Sequence, residues 1–242
     1  MNAIEIRSLT KRYGSLTAVD NLTLDVRQGE LFSLLGINGA GKTTTVKMLS
    51  CLTRPTEGDA FICGKSIRTD PAGVKASMAV SPQETAVAPN LSAAENLALM
   101  AGVHGLDKAA TAQRIDQLAR QLGLEDVLRR RAAKLSGGYQ RRLSIAMALI
   151  SQPQVLFLDE PTLGLDVLAR SELWEVIRGL HGKVTIVLTT HYMEEAEALS
   201  DRVGIMNAGR LAALGTVEEL MTRAGAGKFE DAFVSIVKEA KK

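Results

Sequence analysis

Residues 36–43 form the stretch of the sequence best suited to chemistry on a polyanion. They read Gly-Ile-Asn-Gly-Ala-Gly-Lys-Thr and match the pattern GxxxxGK[ST]. Glycines let backbone N–H groups converge on phosphate oxygens, and the helix expected after them adds partial positive charge. Lys42 should reach the β- and γ-phosphates, and the Thr43 hydroxyl should bind Mg²⁺ beside them. The residues predicted to contact the phosphates are Gly36, Ile37, Asn38, Gly39, Ala40, Gly41, Lys42, Thr43 and Thr44.

Two acids close an apolar run later in the chain. Residues 155–158 lead directly into Asp159 and Glu160, and acids at the end of a buried strand are costly unless they face a cation or a polarised water. Asp159 can support Mg²⁺ through its water ligands, and Glu160 can orient and deprotonate an attacking water. Kinases, GTPases and many ATPases share the phosphate loop. A kinase would not need a water-directed glutamate, so the pair favours hydrolysis.

A third motif lies between these two. Residues 135–142 read Leu-Ser-Gly-Gly-Tyr-Gln-Arg-Arg, so that Ser136, Gly137 and Gly138 open a predicted helix. A hydroxyl and free backbone amides at the positive end of a helix make a second phosphate-binding surface. Together with the phosphate loop and the acidic strand end, this stretch resembles the signature of the ATP-binding cassette family. The resemblance covers nearly the whole chain.

Further motifs follow in the order that the family has them. Tyr13 resembles the aromatic residue that stacks on adenine, with Val19 packed beside it. Gln83 resembles the glutamine that contacts Mg²⁺ and the attacking water and senses a membrane partner. His191 resembles the switch histidine that touches the γ-phosphate and helps to hold Glu160. The resemblance thus implies ATP and Mg²⁺ as ligands, with Lys42, Glu160 and His191 in catalysis and Thr43, Gln83 and Asp159 around the metal.

One position departs from the family pattern. Leu165 and Asp166 resemble the D-loop, a segment that crosses the interface between two cassettes in this family. Leu163 stands where many members have a serine before Gly-Leu-Asp, so a hydroxyl that could contact the opposite site is missing. Because of this departure, the family's mode of communication between two sites cannot be carried over to this chain. The ATPase assignment is not affected.

The resemblance also implies how such a chain works. In this family the phosphate loop of one subunit faces the signature of another, so two cassettes hold two ATP molecules head to tail. This chain has one copy of each motif and is therefore expected to pair with itself or with a similar chain. The expected partners are separate transmembrane permease subunits, which would place the chain at the cytoplasmic face of the membrane.

The subfamily is indicated by stretches that are less specific than the motifs above. Residues 190–197 and 230–234 look most like the cassettes of drug and antibiotic exporters. An importer cassette and a soluble relative that acts on ribosomes or DNA are the alternatives. Such soluble relatives usually carry two fused cassettes or a long coiled-coil insertion, and neither occurs in this sequence. Neighbouring reading frames would separate the three possibilities, whereas the transported substrate cannot be read from the sequence.

Composition excludes several other classes of protein. The 242 residues include 29 Lys plus Arg and 27 Asp plus Glu, and this near-balance predicts no nucleic-acid partner. No apolar run approaches the roughly 18 residues that cross a bilayer, and the first ten residues do not resemble a secretory signal. Cys51 and Cys63 lack metal-ligand spacing, so both are expected to be small buried hydrophobic residues.

The elements that must position these residues follow from hydrophobic periodicity. Residues 4–35 alternate around turns at Gly14 and Gly29, which predicts short antiparallel strands followed by a buried strand at 31–35. Ser92 and Glu95 form a capping box at the start of a region, about 83–152, with room for three or four helices. Further strands are predicted at 60–63, 75–80, 155–158, 184–189 and 203–206, and further helices at 42–52, 167–180, 192–199 and from 229 onwards.

This order predicts an α/β fold with a P-loop NTPase core. The core should have a mostly parallel sheet, an N-terminal antiparallel β subdomain and an inserted α-helical subdomain. We divide a single domain, 1–242, into an ATP-binding core at 1–84 and 153–222 and a helical signature subdomain at 85–152. Residues 223–242 should form a C-terminal amphipathic helix, because Phe233, Ile236 and Val237 recur at helical spacing.

Overall fold

An antiparallel sheet begins the fold in the computed structural model, which describes residues 1–240. Strands β1 (Asn2–Tyr13) and β2 (Leu16–Arg27) form a hairpin around Gly14, whose positive φ of 56° suits the turn. Strands β4 (Glu57–Ile62) and β5 (Lys65–Ser66) complete the order β2-β1-β4-β5. The prediction of an N-terminal antiparallel subdomain is therefore confirmed.

A second sheet forms the centre of the molecule. It contains β3 (Leu31–Leu35), β6 (Met78–Ser81), β7 (Val155–Asp159), β8 (Thr185–Thr190), β9 (Arg202–Asn207) and β10 (Arg210–Gly215) in the order β10-β9-β3-β8-β7-β6. The strands pair in parallel except for β10, which runs antiparallel to β9. Every residue of β3, β7 and β8 is buried, as expected for parallel strands covered on both faces.

The helices cover this sheet and fill the insertion. They are α1 (Lys42–Leu49), α2 (Pro71–Ser77), α3 (Ala93–Val103), α4 (Lys108–Leu122), α5 (Gly137–Leu149), α6 (Val167–Arg178), α7 (Met193–Leu199), α8 (Val217–Ala224) and α9 (Phe229–Glu239). The predicted capping box is present at the start of α3, where Ser92 accepts from the Glu95 amide. Helices α3 to α5 form the inserted helical region, which agrees with the predicted fold class.

Three predicted boundaries or pairings are wrong. Of the strands predicted to be antiparallel over residues 4–35, only β1 and β2 are. Strand β3 belongs to the other sheet, where it pairs in parallel with β8 and β9. Residues 75–77 are helical, not extended, because Asp70 caps α2 and Pro71 occupies its first turn. Helix α1 ends at Leu49 instead of residue 52, since Cys51 adopts a left-handed φ of 56°.

Other predictions need smaller corrections. Cys51 and Cys63 are half-buried rather than buried, and both are free thiols. The C-terminal stretch 223–242 holds the end of α8 and then α9, so the amphipathic helix begins at Phe229. Residues 241 and 242 lie outside the described residues. The sequence reading missed β10, which pairs with β9 at the edge of the central sheet.

The main hydrophobic cores lie on opposite faces of the central sheet. Neighbouring residues of a strand point to opposite faces, and Leu156 joins the helical core around Leu143 while Phe157 joins the core of the antiparallel sheet around Ile4. A third cluster packs Phe229 of α9 against Leu35. Burying one such side chain contributes about 1.5–3 kcal/mol. Within residues 1–240, no helix has the length and apolar content that a membrane crossing requires.

Candidate functional site

The phosphate loop connects β3 to α1 at the carboxyl edge of the parallel sheet. The Gly36 amide donates to the Thr190 carbonyl at the end of β8 (3.2 Å), which anchors the start of the loop. A Cβ at Gly41, where φ is 102°, would lie 2.5 Å from the Ala18 carbonyl oxygen. The Gly41 cap has no side-chain hydrogen bond and no acid lies in the first turn of α1. The amides at this helix end are therefore available to an anion.

Lys42 is held inside the loop that precedes it. Its Nζ donates to the carbonyl oxygens of Gly36 (2.7 Å) and Ile37 (3.3 Å) and lies 3.7 Å from Glu160 Oε1. The side chain is only 5% exposed. Burial lowers the pKa of the Lys42 ammonium, although the carboxylates of Glu160 and Asp159 act in the opposite direction. A phosphate arriving here would meet a cation that is already oriented.

Asp159 and Thr43 face each other across the loop. Thr43 Oγ1 lies 3.5 Å from Asp159 Oδ1, and Thr189 Oγ1 donates to the same carboxylate oxygen. Within residues 1–240, no group of three or more His, Cys, Asp or Glu side chains is placed to hold a metal ion by itself. Mg²⁺ commonly binds through one or two protein oxygens together with waters and phosphates. The hydroxyl and carboxylate present here fit that mode.

Glu160 adopts an unusual backbone conformation. Its φ of 47° lies in the left-handed region, which is uncommon for residues other than glycine. Its amide donates to the Thr189 carbonyl (3.0 Å) and approaches Thr189 Oγ1 (3.1 Å). Of its two carboxylate oxygens, Oε1 faces Lys42, and Oε2 lies 3.2 Å from His191 Nδ1 without the alignment of a hydrogen bond. The strand end thus turns this carboxylate toward Lys42 and His191.

A cavity of about 670 Å³ collects most of the predicted residues. Its lining includes Asn38, Gly39, Ala40, Gly41, Lys42, Thr43, Thr44, Gln83, Glu160 and His191. Gly36, Ile37 and Asp159 contact this group from the loop and strand ends. The volume is within the range of about 300–1,000 Å³ that is usual for small-molecule sites.

The predicted adenine residues lie at one side of this cavity. Tyr13 is 47% exposed and pairs across the first hairpin with Leu16, which lines the cavity, but Tyr13 itself does not. Lys11 Nζ lies 4.8 Å from the centre of the Tyr13 ring. Val19 is fully buried, and its side chain lies beneath Gly41 instead of lining the cavity.

Sequence reasoning missed several lining residues. Leu16, Thr17 and Ala18 come from the first hairpin, Leu163 follows the acidic strand end, and Ala208 lies in the turn after β9. Leu163, singled out as a departure from the family pattern, therefore stands at the phosphate end beside Glu160. The hairpin residues have no motif of their own, although their place directly after Tyr13 in the chain is a signal that could have found them.

The three signature residues are separate from the cavity. Ser136 is exposed at the start of α5, where its hydroxyl accepts from the Tyr139 amide at 3.5 Å, and Gly137 is exposed beside it. Gly138 is buried, and a Cβ there would lie 3.2 Å from the Ala169 Cβ of α6. Ser136, Gly137 and Gly138 are absent from the lining around Lys42. The two surfaces predicted to bind phosphate thus do not meet within one chain.

Comparisons with known proteins find similar sequences. A family profile described as ABC transporter matches residues 19–163. The doxorubicin resistance ATP-binding protein DrrA of Mycobacterium tuberculosis is 43% identical over 238 residues, which cover 97% of this chain and 70% of that protein.

Solved structures are similar as well. The structure of an ATP-binding subunit of an ABC transporter superposes with a TM-score of 0.85 at 31% identity, covering 97% of this chain and 99% of that one. A dimeric structure of a bacterial ABC transporter cassette gives a TM-score of 0.78 at 26% identity, covering 88% of this chain and 98% of that one. Both similarities extend over nearly the full fold.

Proposed function

This chain belongs to the ABC transporter family, and from that premise we propose that two copies hydrolyse Mg²⁺-ATP between them to export a substrate through separate membrane subunits. The chain is the ATP-binding subunit and therefore an ATPase. The arrangement of the two nucleotide sites, the roles of individual residues, the membrane partner and its location are the proposal.

One observation carries the head-to-tail arrangement. Lys42 and Glu160 line the cavity, whereas Ser136 lies on an exposed helix end outside it. An exposed hydroxyl at the N-terminus of α5 suits the γ-phosphate of an ATP held by another chain. Two copies related by a twofold axis would each supply one surface to each site. The dimeric form of a similar bacterial cassette supports this arrangement.

The residues of the cavity divide the work of hydrolysis. Lys42 and the loop amides would hold the β- and γ-phosphates and offset the charge that develops on them. Glu160 would accept a proton from the attacking water, which must lie between its carboxylate and the γ-phosphorus. His191, 3.2 Å from the same carboxylate, would keep Glu160 in place and contact the γ-phosphate. Phosphate would leave after the bond from phosphorus to the bridging oxygen breaks.

Mg²⁺ would be held by the Thr43 hydroxyl and Gln83, with Asp159 acting through water ligands. When bound, the ion would neutralise phosphate charge and align the β- and γ-phosphates. Gln83 lines the edge of the cavity and is exposed, so its side chain would also be accessible to a neighbouring subunit. The adenine would stack on Tyr13, next to the lining residue Leu16.

The export direction draws on the relatives. A cassette that resembles a doxorubicin resistance protein over 97% of its length fits the removal of a compound from the cell. The chain would bind permease subunits at the cytoplasmic face of the membrane. Closure of two cassettes on ATP and their opening after hydrolysis would be transmitted to those subunits.

ATP hydrolysis by the purified chain at a series of protein concentrations tests the proposal. Because each site needs a second copy, phosphate release per chain should rise with chain concentration in the presence of Mg²⁺-ATP. Glu160→Gln, measured in parallel, sets the background for contaminating activity. A rate per chain that stays constant in a proven monomer would contradict the shared site and indicate a self-contained P-loop enzyme.

A further inference from the structure

Arg141 is a buried cation in the helix that begins with the signature. It lies on α5 and is 5% exposed. Its guanidinium donates to two successive backbone carbonyls, those of Pro82 (2.6 Å) and Gln83 (2.5 Å). Such charge-assisted hydrogen bonds are roughly twice as strong as neutral ones. Arg141 therefore grips the backbone at the glutamine that lines the edge of the nucleotide cavity.

A second contact joins the same two elements. The hydroxyls of Ser81, at the end of β6, and Ser144, one turn further along α5, form a hydrogen bond of 3.0 Å between buried groups. Ser81, Pro82 and Gln83 are consecutive, so α5 holds an unbroken piece of backbone from the strand end to the glutamine. Helix α5 therefore contacts three successive residues of this segment, Ser81, Pro82 and Gln83.

The energetic cost of Arg141 argues for a role beyond stability. Its Nε is buried without a hydrogen-bond partner. A buried charge whose direct partners are neutral carbonyls is a weak source of stability. What it supplies is geometry, because a planar guanidinium fixes both carbonyls at once.

We propose that Arg141 is a positioning residue that holds Gln83 at the cavity edge and ties it to the signature helix. This inference rests on the proposed function for the role of Gln83 in hydrolysis. Arg141 does not contact the cavity, so its effect on the reaction passes through Gln83.

A double-mutant cycle tests whether the effect passes through Gln83. Arg141→Ala should lower kcat about tenfold, since misplacing a reacting group by about 1 Å costs up to about a hundredfold. The KM for ATP should change little, and the Mg²⁺ concentration for half-maximal rate should rise. In a Gln83→Ala background, Arg141→Ala should lower kcat less than about twofold, because the group it positions is gone. Arg141→Lys keeps the charge but loses the planar guanidinium that holds two carbonyls, so its kcat should lie between those of the wild type and Arg141→Ala.

Arg114→Ala is the matched control. Arg114 is a partly buried arginine of the same helical region, and its guanidinium also donates to a backbone carbonyl, that of Leu149 (2.6 Å). Its removal should leave kcat and the Mg²⁺ dependence near those of the wild type. Equal losses from Arg141→Ala with and without Gln83, or no loss in the wild-type background, would overturn the proposal.

Hydrogen exchange of the nucleotide-free chain provides a readout that does not depend on activity. The amides of residues 79–81, which lie in β6 beside β7 and directly before the carbonyls that Arg141 holds, should exchange several-fold faster in Arg141→Ala and Arg141→Lys than in the wild type or in Arg114→Ala. Unchanged exchange in both Arg141 variants would overturn the mechanical link. If the wild type failed to hydrolyse ATP, the proposed function would fail while this measurement still decided whether Arg141 holds the segment.

Discussion

The nucleotide cavity and the signature end of α5 are built in opposite ways. In the cavity, Lys42 is buried and bonded to two loop carbonyls, and the Glu160 amide is fixed by Thr189. At the signature, Ser136 is exposed and its hydroxyl accepts one long hydrogen bond of 3.5 Å. The first surface is preorganised by a parallel sheet whose strand ends converge on it. The second is exposed, as we expect of a group that is proposed to serve another molecule.

This difference separates what one chain can do alone from what needs two. Binding of the phosphates depends on residues that the fold already holds together. Under the proposed head-to-tail arrangement, completing the site depends on a surface that the same fold keeps away from its own cavity. Substitutions of the residues that hold the phosphates, such as Lys42, should therefore impair binding and every later step, whereas substitutions at the signature should leave binding by the isolated chain intact.

Lys42→Ala should produce the largest effect. Removing the ammonium leaves phosphate charge uncompensated in a partly desolvated site, and ATP turnover should fall by a factor of about 100 or more. Phosphate release under saturating Mg²⁺-ATP measures the loss. Lys47→Ala, an exposed lysine of the same helix, is the matched control and should retain wild-type turnover. Normal turnover by a folded Lys42→Ala variant would refute the loop assignment.

Tyr13→Ala should produce a smaller effect, confined to nucleotide binding. Loss of aromatic stacking should weaken nucleotide affinity by about 1 kcal/mol, close to a fivefold increase in Kd, while the phosphate chemistry stays intact. Equilibrium binding of a fluorescent ATP analogue measures the change. Unchanged affinity would mean that adenine lies elsewhere, and Arg12→Ala, an exposed neighbour, should behave like the wild type.

Glu195→Gln should have the smallest effect, on stability. Glu195 is fully buried and accepts from Trp174 Nε1 at 3.2 Å. Burial raises the pKa of its carboxyl above the ordinary 4.5, and hydrogen bonding opposes the rise only in part. A raised folded-state pKa means that the neutral form stabilises the fold below pH 4.5, and that this stability is lost as pH rises through the folded value.

The neutral amide should therefore raise Tm by about 2 °C at pH 8, and the gain should shrink as the pH falls toward 5. Thermal unfolding at several pH values measures this. Glu197→Gln, an exposed residue of the same helix, should show no comparable trend. A gain that is independent of pH would show that the charge of Glu195 is not its cause.

The sequence predicts those parts of the fold and site whose residues are close together along the chain. The phosphate loop and the acidic strand end are contiguous, and both strands that precede them are runs of buried residues, so site and fold could be read together. The strand predicted at 75–80 starts three residues too early, because residues 75–77 belong to a helix whose start is marked by Asp70 and Pro71.

The remainder of the site is non-local. Leu16 and Ala208 reach the cavity from elements that are far from the loop in sequence, and only the tertiary fold brings them together. The grip of Arg141 on Gln83 depends on the packing of α5 against the end of β6. The left-handed φ of Glu160 is likewise set by its surroundings, since a glutamate by itself does not favour it.

ATP-dependent dimerisation of Glu160→Gln is the most direct test of the shared site. The substitution keeps size and hydrogen bonding but removes the charge that activates water, so ATP should bind and persist. Light scattering with ATP and without Mg²⁺ should show a dimer that is absent without nucleotide. Adding Ser136→Arg should abolish the dimer, because a bulky cation would occupy the approach of the signature to the γ-phosphate. A Glu160→Gln chain that stays monomeric at high concentration, or a double variant that dimerises equally well, would contradict the head-to-tail arrangement.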